Sequence, residues 1–435
     1  MTDEAHHPQT TNEGGGVSGE VTSPASWYMI TYSNAWFQVV LISFICFCCP
    51  GQLRAYSSEM YIALNGLGGS GQVDETVAAN SNVALLSATA ATALFLVGPI
   101  FSIIGPRACW LLGGWTYGLY SVSLLNFNIR NNGGFVIAAG AILGIGASFL
   151  WVAQGAIMTS YVSESQKGRA IAVFWIIFNL GGMIGSLVSF GLNFHSKSGT
   201  VSNSTHIAIM VIMFFGWAIG VFICPPTRIR LAQLKMAEEE VVHQPFFDKI
   251  RTIAKTLFTF KIVCILPLFF CANVFYSYQQ NNVNGTTFNI RYGFQKWEDK
   301  RLAQGLKQDI DYAMDADIAV GPIFLYFFYG AYDALWQSFC YWLIGTMSNS
   351  AAITAVLVGA YKTFQAAGGA MAWRINALHK PPMTQFAMDW GLCIDALVLA
   401  VSTLWSVTLT SVGHEAGGET DMKREVEGTG NIAGK

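Results

Sequence analysis

Charge is the scarcest ingredient of this sequence. The chain of 435 residues holds 24 Lys and Arg and 26 Asp and Glu, 11% charged in all, where a soluble globular protein averages about 25%. That shortage argues against a soluble fold. With a net charge of −2 and no long basic run, there is no electrostatic footprint for nucleic acid. The nine cysteines lie in or beside apolar stretches, where free Cys behaves as a small hydrophobe, so neither a disulfide framework nor a zinc site is expected. All seven histidines, His206 included, read as tail or loop residues, which leaves no histidine relay inside a membrane. No hydrolase elbow and no Ser/His/Asp arrangement falls within the apolar segments. The chain is therefore read as a non-enzyme with no cofactor, no metal and no catalytic residue.

Hydrophobic residues make up 53% of the chain, with 44 Gly, 30 Phe and 13 Trp, and mean hydropathy is +0.42. Small residues let helices pack closely in lipid, and aromatics anchor at its boundaries. A spanning helix needs about 20 mostly apolar residues. Ten segments meet this, roughly 35–50, 83–104, 108–127, 135–161, 170–192, 207–224, 257–278, 318–347, 351–373 and 390–411. The expected class is an all-α, multi-pass integral membrane protein, partnered by the lipid bilayer and not by nucleic acid.

The expected order is a tail at 1–32, a six-helix half at 33–224, a linker at 225–256, a second half at 257–411 and a tail at 412–435. The linker carries Arg228, Arg230, Lys235, Lys249, Arg251 and Lys255, so it and both tails are placed in the cytosol. Two N-glycosylation sequons, at Asn203 and Asn284, then fall on the opposite face.

The spacing Gly66-x-Gly68-x-x-Gly71 matches a dinucleotide fingerprint but follows a span and no strand, so it reads as a loop. Gly140/Gly144 and Gly181/Gly185 place glycine pairs on one helix face for close packing. Asp333 shares a helix face with Trp336, Gln337 and Tyr341, and Lys362 and Gln365 of the next span can face it. Gln154, Asn179 and the set Asn273, Tyr276 and Gln280 are uncharged polar groups suited to hydrogen bonds between helices. Asp333, Gln337, Tyr341, Lys362, Gln365, Gln154, Asn273 and Tyr276 are the candidate cavity-lining residues. Asp395, Arg374 and Lys261 are expected near span ends, where long side chains can snorkel.

The turn Gly98-Pro-Ile-Phe-Ser102-Ile-Ile-Gly105-Pro-Arg107 resembles the loop signature of the major facilitator superfamily, with Ser102 in place of its acid. The strings Phe44–Gly51, Ala63–Asp74, Gly144–Tyr161, Lys167–Ser186, Tyr276–Asn282 and Tyr332–Gly345 resemble the fungal branch of the uncoordinated-93-like family. That resemblance covers most of Trp36 to Thr410. It implies twelve helices in a major-facilitator-like bundle and a secondary transporter moving a small solute or ion between two halves. The other activity it implies is a non-transporting adaptor for a membrane-protein partner such as a channel or receptor. Two departures from the family pattern stand out. Gln52–Glu59 intervenes after the first span, and at Arg291/Tyr292 two stretches are fused that a pair of helices separates in the family. The second half is thus expected to hold four helices.

Overall fold

The computed structural model describes residues 31–51, 75–193, 203–229, 255, 258–279, 316–347, 351–378 and 380–404. Among these there is no strand, and all ten apolar segments fall on helix. The N-terminal tail, Gln52–Glu59, the Gly66–Gly71 loop, most of the linker, Gln280, Asn284, the Arg291/Tyr292 junction and residues beyond Leu404 lie outside the described residues.

The helices are α1 (Ala35–Cys46), α2 (Glu75–Thr92), α3 (Gly98–Gly113), α4 (Trp115–Arg130), α5 (Gly133–Ser160), α6 (Lys167–Asn193), α7 (Asn203–Ile219), α8 (Phe260–Cys271), α9 (Ala316–Met347), α10 (Ala351–Ala377) and α11 (Pro382–Leu404). These count helical segments, and some spans contain two. Asn34 starts α1, its Oδ1 accepting the backbone N–H groups of Trp36 at 2.8 Å and Phe37 at 3.2 Å. Pro50 lies in a π-type continuation, Phe47–Gly51, where its missing N–H is tolerated by the widened turn.

A second π-type segment, Ala93–Val97, links α2 to α3. Its ladder is opened by a side chain from the other end of the sequence. Thr363 Oγ1 of α10 accepts from Leu94 N and donates to Ala90 O, both at 3.1 Å. The hydroxyl thus stands where the Leu94 to Ala90 backbone bond of an α-helix would be.

The loop signature turns at Gly105, whose φ of 75° and ψ of 174° are accessible to glycine almost alone. Gly98, expected in the turn, is helical instead. The chain reverses again at Asn131, in the left-handed region with φ 53°, and Asn132 Oδ1 caps α5 by accepting from Phe135 N at 3.2 Å. Against α2, glycine is required at Gly144: a Cβ there would lie 2.1 Å from Leu85 O. Gly140 faces Ser81 in the same way. One apolar core, from Val39 and Trp110 through Leu150 and Phe174 to Tyr341, Tyr361 and Ala400, joins helices on both sides of the linker.

Two placements differ from the sequence expectation. His206 is no loop residue: α7 starts at Asn203, and His206 is fully buried in its first turn. The polar residues Asn203-Ser-Thr precede the apolar run and hid the start of the helix. Likewise α11 starts at Pro382, eight residues before the apolar stretch, because proline fits a first helical turn. Gln385 Nε2 closes that start by donating to Lys380 O at 3.1 Å. Asp395 consequently sits mid-helix, exposed, and not near a span end.

Candidate functional site

Between the helices preceding the linker and those following it lies a cavity of about 220 Å³. Its polar side comes from α8, α9 and α10. On α9, Asp333, Gln337 and Tyr341 recur every four residues and so project from one face. On α10, Tyr361, Lys362 and Gln365 occupy about one turn. Asn273 lies at the break between α8 and the short turn Val274–Ser277, with φ −129° and ψ 1°, and its side chain reaches the same place.

These groups form one network. Gln337 Nε2 donates to Asp333 Oδ1 at 3.1 Å. Gln337 Oε1 accepts from the Tyr361 hydroxyl and from Gln365 Nε2, the latter at 2.9 Å. Asn273 Oδ1 accepts from Gln365 Nε2 at 3.0 Å and from Gln337 Nε2 at 3.5 Å. Lys362 Nζ donates to Gln365 Oε1 at 2.8 Å. The two charges are therefore joined through amides and a phenol, not as a direct ion pair. Tyr341 extends the network across the cavity, donating to Gln154 Oε1 of α5 at 2.8 Å.

Lys362 is buried, and its ammonium is boxed by rings. It lies 4.5 Å from the ring centroids of Trp151 and Tyr361 and 5.3 Å from that of Tyr341. Such contacts compensate about 2 kcal/mol or more each when desolvated, which helps to hold a cation in a span. Trp151 of α5 and Tyr117 of α4 join Trp175 and Phe178 of α6 as the wall facing this cation. Sequence reasoning missed all four, since an aromatic in an apolar span carries no mark separating core from cavity. Tyr276 and Trp373 close the remaining side.

The end of the bundle nearest the linker is tied by hydrogen bonds. Arg107 Nε donates to Ile223 O at 2.7 Å, and its guanidinium also donates to the Tyr32 hydroxyl. Gln38 is buried and accepts from Cys224 N at 2.8 Å while donating to Tyr32 O at 2.9 Å, and Tyr161 donates to Cys224 O at 2.7 Å. Together they serve the carbonyls and amides left over where α7 ends. Across the two helix groups, the buried Lys167 Nζ donates to Gly345 O at 2.6 Å. Gly98, Gly105 and Arg107 thus belong to this end and not to the cavity. Asn203 sits at the other end, exposed, accepting from Asn128 Nδ2 at 2.6 Å. Asn179 is exposed on α6 and donates to Trp175 O of its own helix at 2.8 Å.

Asp389, also missed, is buried in α11 outside the cavity, with neither carboxylate oxygen hydrogen-bonded to any of the described residues. No cluster of His, Cys, Asp or Glu among the described residues has the make-up of a metal site.

The helical arrangement is similar to that of the proton:xylose symporter XylE, with TM-scores of 0.56 and 0.53 for two of its structures. Identities are 10% and 11%, and coverage is 87% and 88% of this chain against 95% and 98% of XylE. At that identity the likeness is one of fold, the major facilitator fold. Residues 75–298 match the sequence profile of the family described as "Ion channel regulatory protein UNC-93". UNC93-like protein 1 of Arabidopsis thaliana is 35% identical over 455 residues, covering 90% of this chain and 94% of that protein. UNC93-like protein C922.05c of Schizosaccharomyces pombe is 33% identical over 469 residues, covering 93% and 91%. This chain belongs to the UNC-93 family, as a multi-pass membrane protein of the major facilitator fold.

Proposed function

We propose that the protein is a secondary transporter in which the cavity around Lys362 is exposed alternately to the two faces of the membrane. The observation that carries this is the buried lysine itself. Lys362 stands at mid-helix between two helix groups, facing the cavity and not lipid. An ionisable group there costs at least about 2.5–3.5 kcal/mol on insertion scales, a cost expected where the group serves a solute. Alternation would require the groups to part at this end, breaking Lys167 to Gly345, while Tyr341 to Gln154 and Thr363 to Leu94 and Ala90 are further bonds that cross between them. The linker and tails would be cytosolic, with Asn203 and Asn284 on the other face.

A test is flux into proteoliposomes from a broad solute panel. Asp333→Asn keeps the shape of the relay but removes its charge, and a loss of flux of at least tenfold at normal expression is expected from the loss of a charged hydrogen bond, about 1.5–3 kcal/mol. Unchanged flux would remove Asp333 from the mechanism. The second reading, a non-transporting regulator of a channel or receptor, is favoured by the family's description. It gains if no solute moves and a membrane protein co-purifies.

The same reading extends to the chain's architecture. In the alignment with UNC93-like protein 1, about 60 of the 455 columns have no residue in this chain. That is the size of two spans with their connections. That size agrees with a second half lacking a helix pair, which we place at Arg291/Tyr292 and which sequencing the transcript across that junction would check. A message encoding two further apolar segments is the expected result.

A further inference from the structure

The cavity wall offers hydrogen-bond donors and has few acceptors left. Of the three N–H groups on Lys362, Gln365 Oε1 takes one. The Trp175 indole N–H and the Tyr117 hydroxyl are buried and have no hydrogen-bond partner among the described residues, and both residues line the cavity. Apart from the Asn82 amide oxygen, the amide acceptors nearby are already engaged. Gln337 Oε1 and Asn273 Oδ1 each accept two bonds, and Gln154 Oε1 accepts Tyr341. Asp333, bonded by Gln337, is not among the lining residues. An unmet buried donor costs about 1–3 kcal/mol, so three groups with unmet donors around one space point to an occupant that accepts.

We propose that the cavity binds a small organic monoanion. Its carboxylate accepts from Lys362, Trp175 and Tyr117, and its apolar body lies against Trp151, Phe178 and Tyr276. A cation is disfavoured because the ammonium of Lys362 already fills the box of Trp151, Tyr341 and Tyr361. A polyhydroxylated solute would need more acceptors than the one amide oxygen, of Asn82, that the wall leaves open. The space of about 220 Å³ equals about seven waters at roughly 30 Å³ each, enough for an acid the size of benzoate. The delivery of that anion across the membrane rests on the transporter reading, but its binding does not.

The test uses the full chain in lipid nanodiscs with three isosteric probes: benzoate, benzamide and benzylamine. Calorimetry and tryptophan fluorescence read the binding. Benzoate is expected to bind at least about tenfold more tightly than the neutral amide or the amine, as charged hydrogen bonds dictate. Lys362→Met should weaken benzoate by at least about tenfold, and Trp175→Phe and Tyr117→Phe by about threefold to tenfold each. Tyr117→Phe removes only the hydroxyl, and Trp175→Phe replaces the indole with a smaller ring that has no N–H, so together they decide the matter even if Lys362→Met does not fold. Equal binding of benzamide or benzylamine, no binding of benzoate at millimolar concentration, or unchanged affinity in both aromatic variants overturns the proposal. Binding of benzoate without flux leaves the anion site standing and removes transport. Flux of another solute that benzoate does not inhibit does the reverse.

Discussion

Between Ala35 and Cys224 the charged side chains sit at span ends or in connections, Arg107, Arg130, Lys167 and Arg169 among them, and the span interiors hold small residues and aromatics. Between Lys261 and Leu404, by contrast, Asp333, Lys362, Asp389 and Asp395 all fall inside helices. The first group is held by backbone approaching backbone, as where Gly144 meets Leu85. The second has such an approach as well, where Gly368 meets the Phe270 carbonyl, and adds side-chain amides, phenols and a boxed cation. A backbone contact needs only the right small residue, whereas a buried charge needs every neighbour that satisfies it. The second group is therefore the one exposed to harm if neighbours are missing. Of the most apolar 18 residues of α5, 61% are buried, against 28% for α11, and the open face of α11 presents Asp395.

The contrast can be broken most severely at Gly144. Gly144→Val would drive a Cβ into the Leu85 carbonyl, backbone against backbone, and α2 and α5 could not keep their spacing. A cost above the about 3 kcal/mol usual for overpacking is expected, seen as loss of monodisperse protein in detergent. Asp395→Leu should do the opposite and stabilise by up to about 2.5–3.5 kcal/mol, the insertion cost of a mid-span acid. Its thermal midpoint would rise. Grafting a relative's segment into the Arg291/Tyr292 junction should reverse that gain where the added helices cover the face of α11 that presents Asp395. A gain that persists in the grafted chain would show that those helices do not cover it.

A smaller effect separates the two groups where they meet. Thr363→Val keeps the volume but withdraws the hydroxyl from the Leu94 to Ala90 gap, leaving both backbone groups unmet at a cost of about 1–3 kcal/mol. Slower hydrogen exchange at Leu94 in the variant would contradict this. The smallest effect is expected at Gly391, on the open face of α11, where an added Cβ meets nothing within 4 Å. Gly391→Ala should leave stability, read from the thermal midpoint, within about 0.5 kcal/mol of the parent or raise it slightly.

Part of the site is legible in the sequence. Asp333, Gln337 and Tyr341 share a face because their spacing is local to one helix, and Lys362 and Gln365 stand out as polar groups in an apolar span. Their meeting with Asn273 and Gln154 follows from polar groups having nowhere else in lipid to be satisfied. Asp389 escapes notice and Asp395 is misplaced for a related reason: hydropathy marks where lipid begins, and the helix from Pro382 begins earlier.

The sequence by itself determined that the chain crosses a membrane many times, through its lack of charge and its ten apolar runs, and its family through strings such as Tyr332–Gly345. Only the tertiary structure decided that Trp151, Trp175 and Tyr117 surround Lys362, that Thr363 completes a helical turn at Leu94, 269 positions away, and that Lys167 closes on Gly345. In water the buried face of a helix is marked by its apolar stripe. In a membrane both the lipid face and the packed face are apolar, so an aromatic on either looks the same in sequence, and which faces meet is settled by shape.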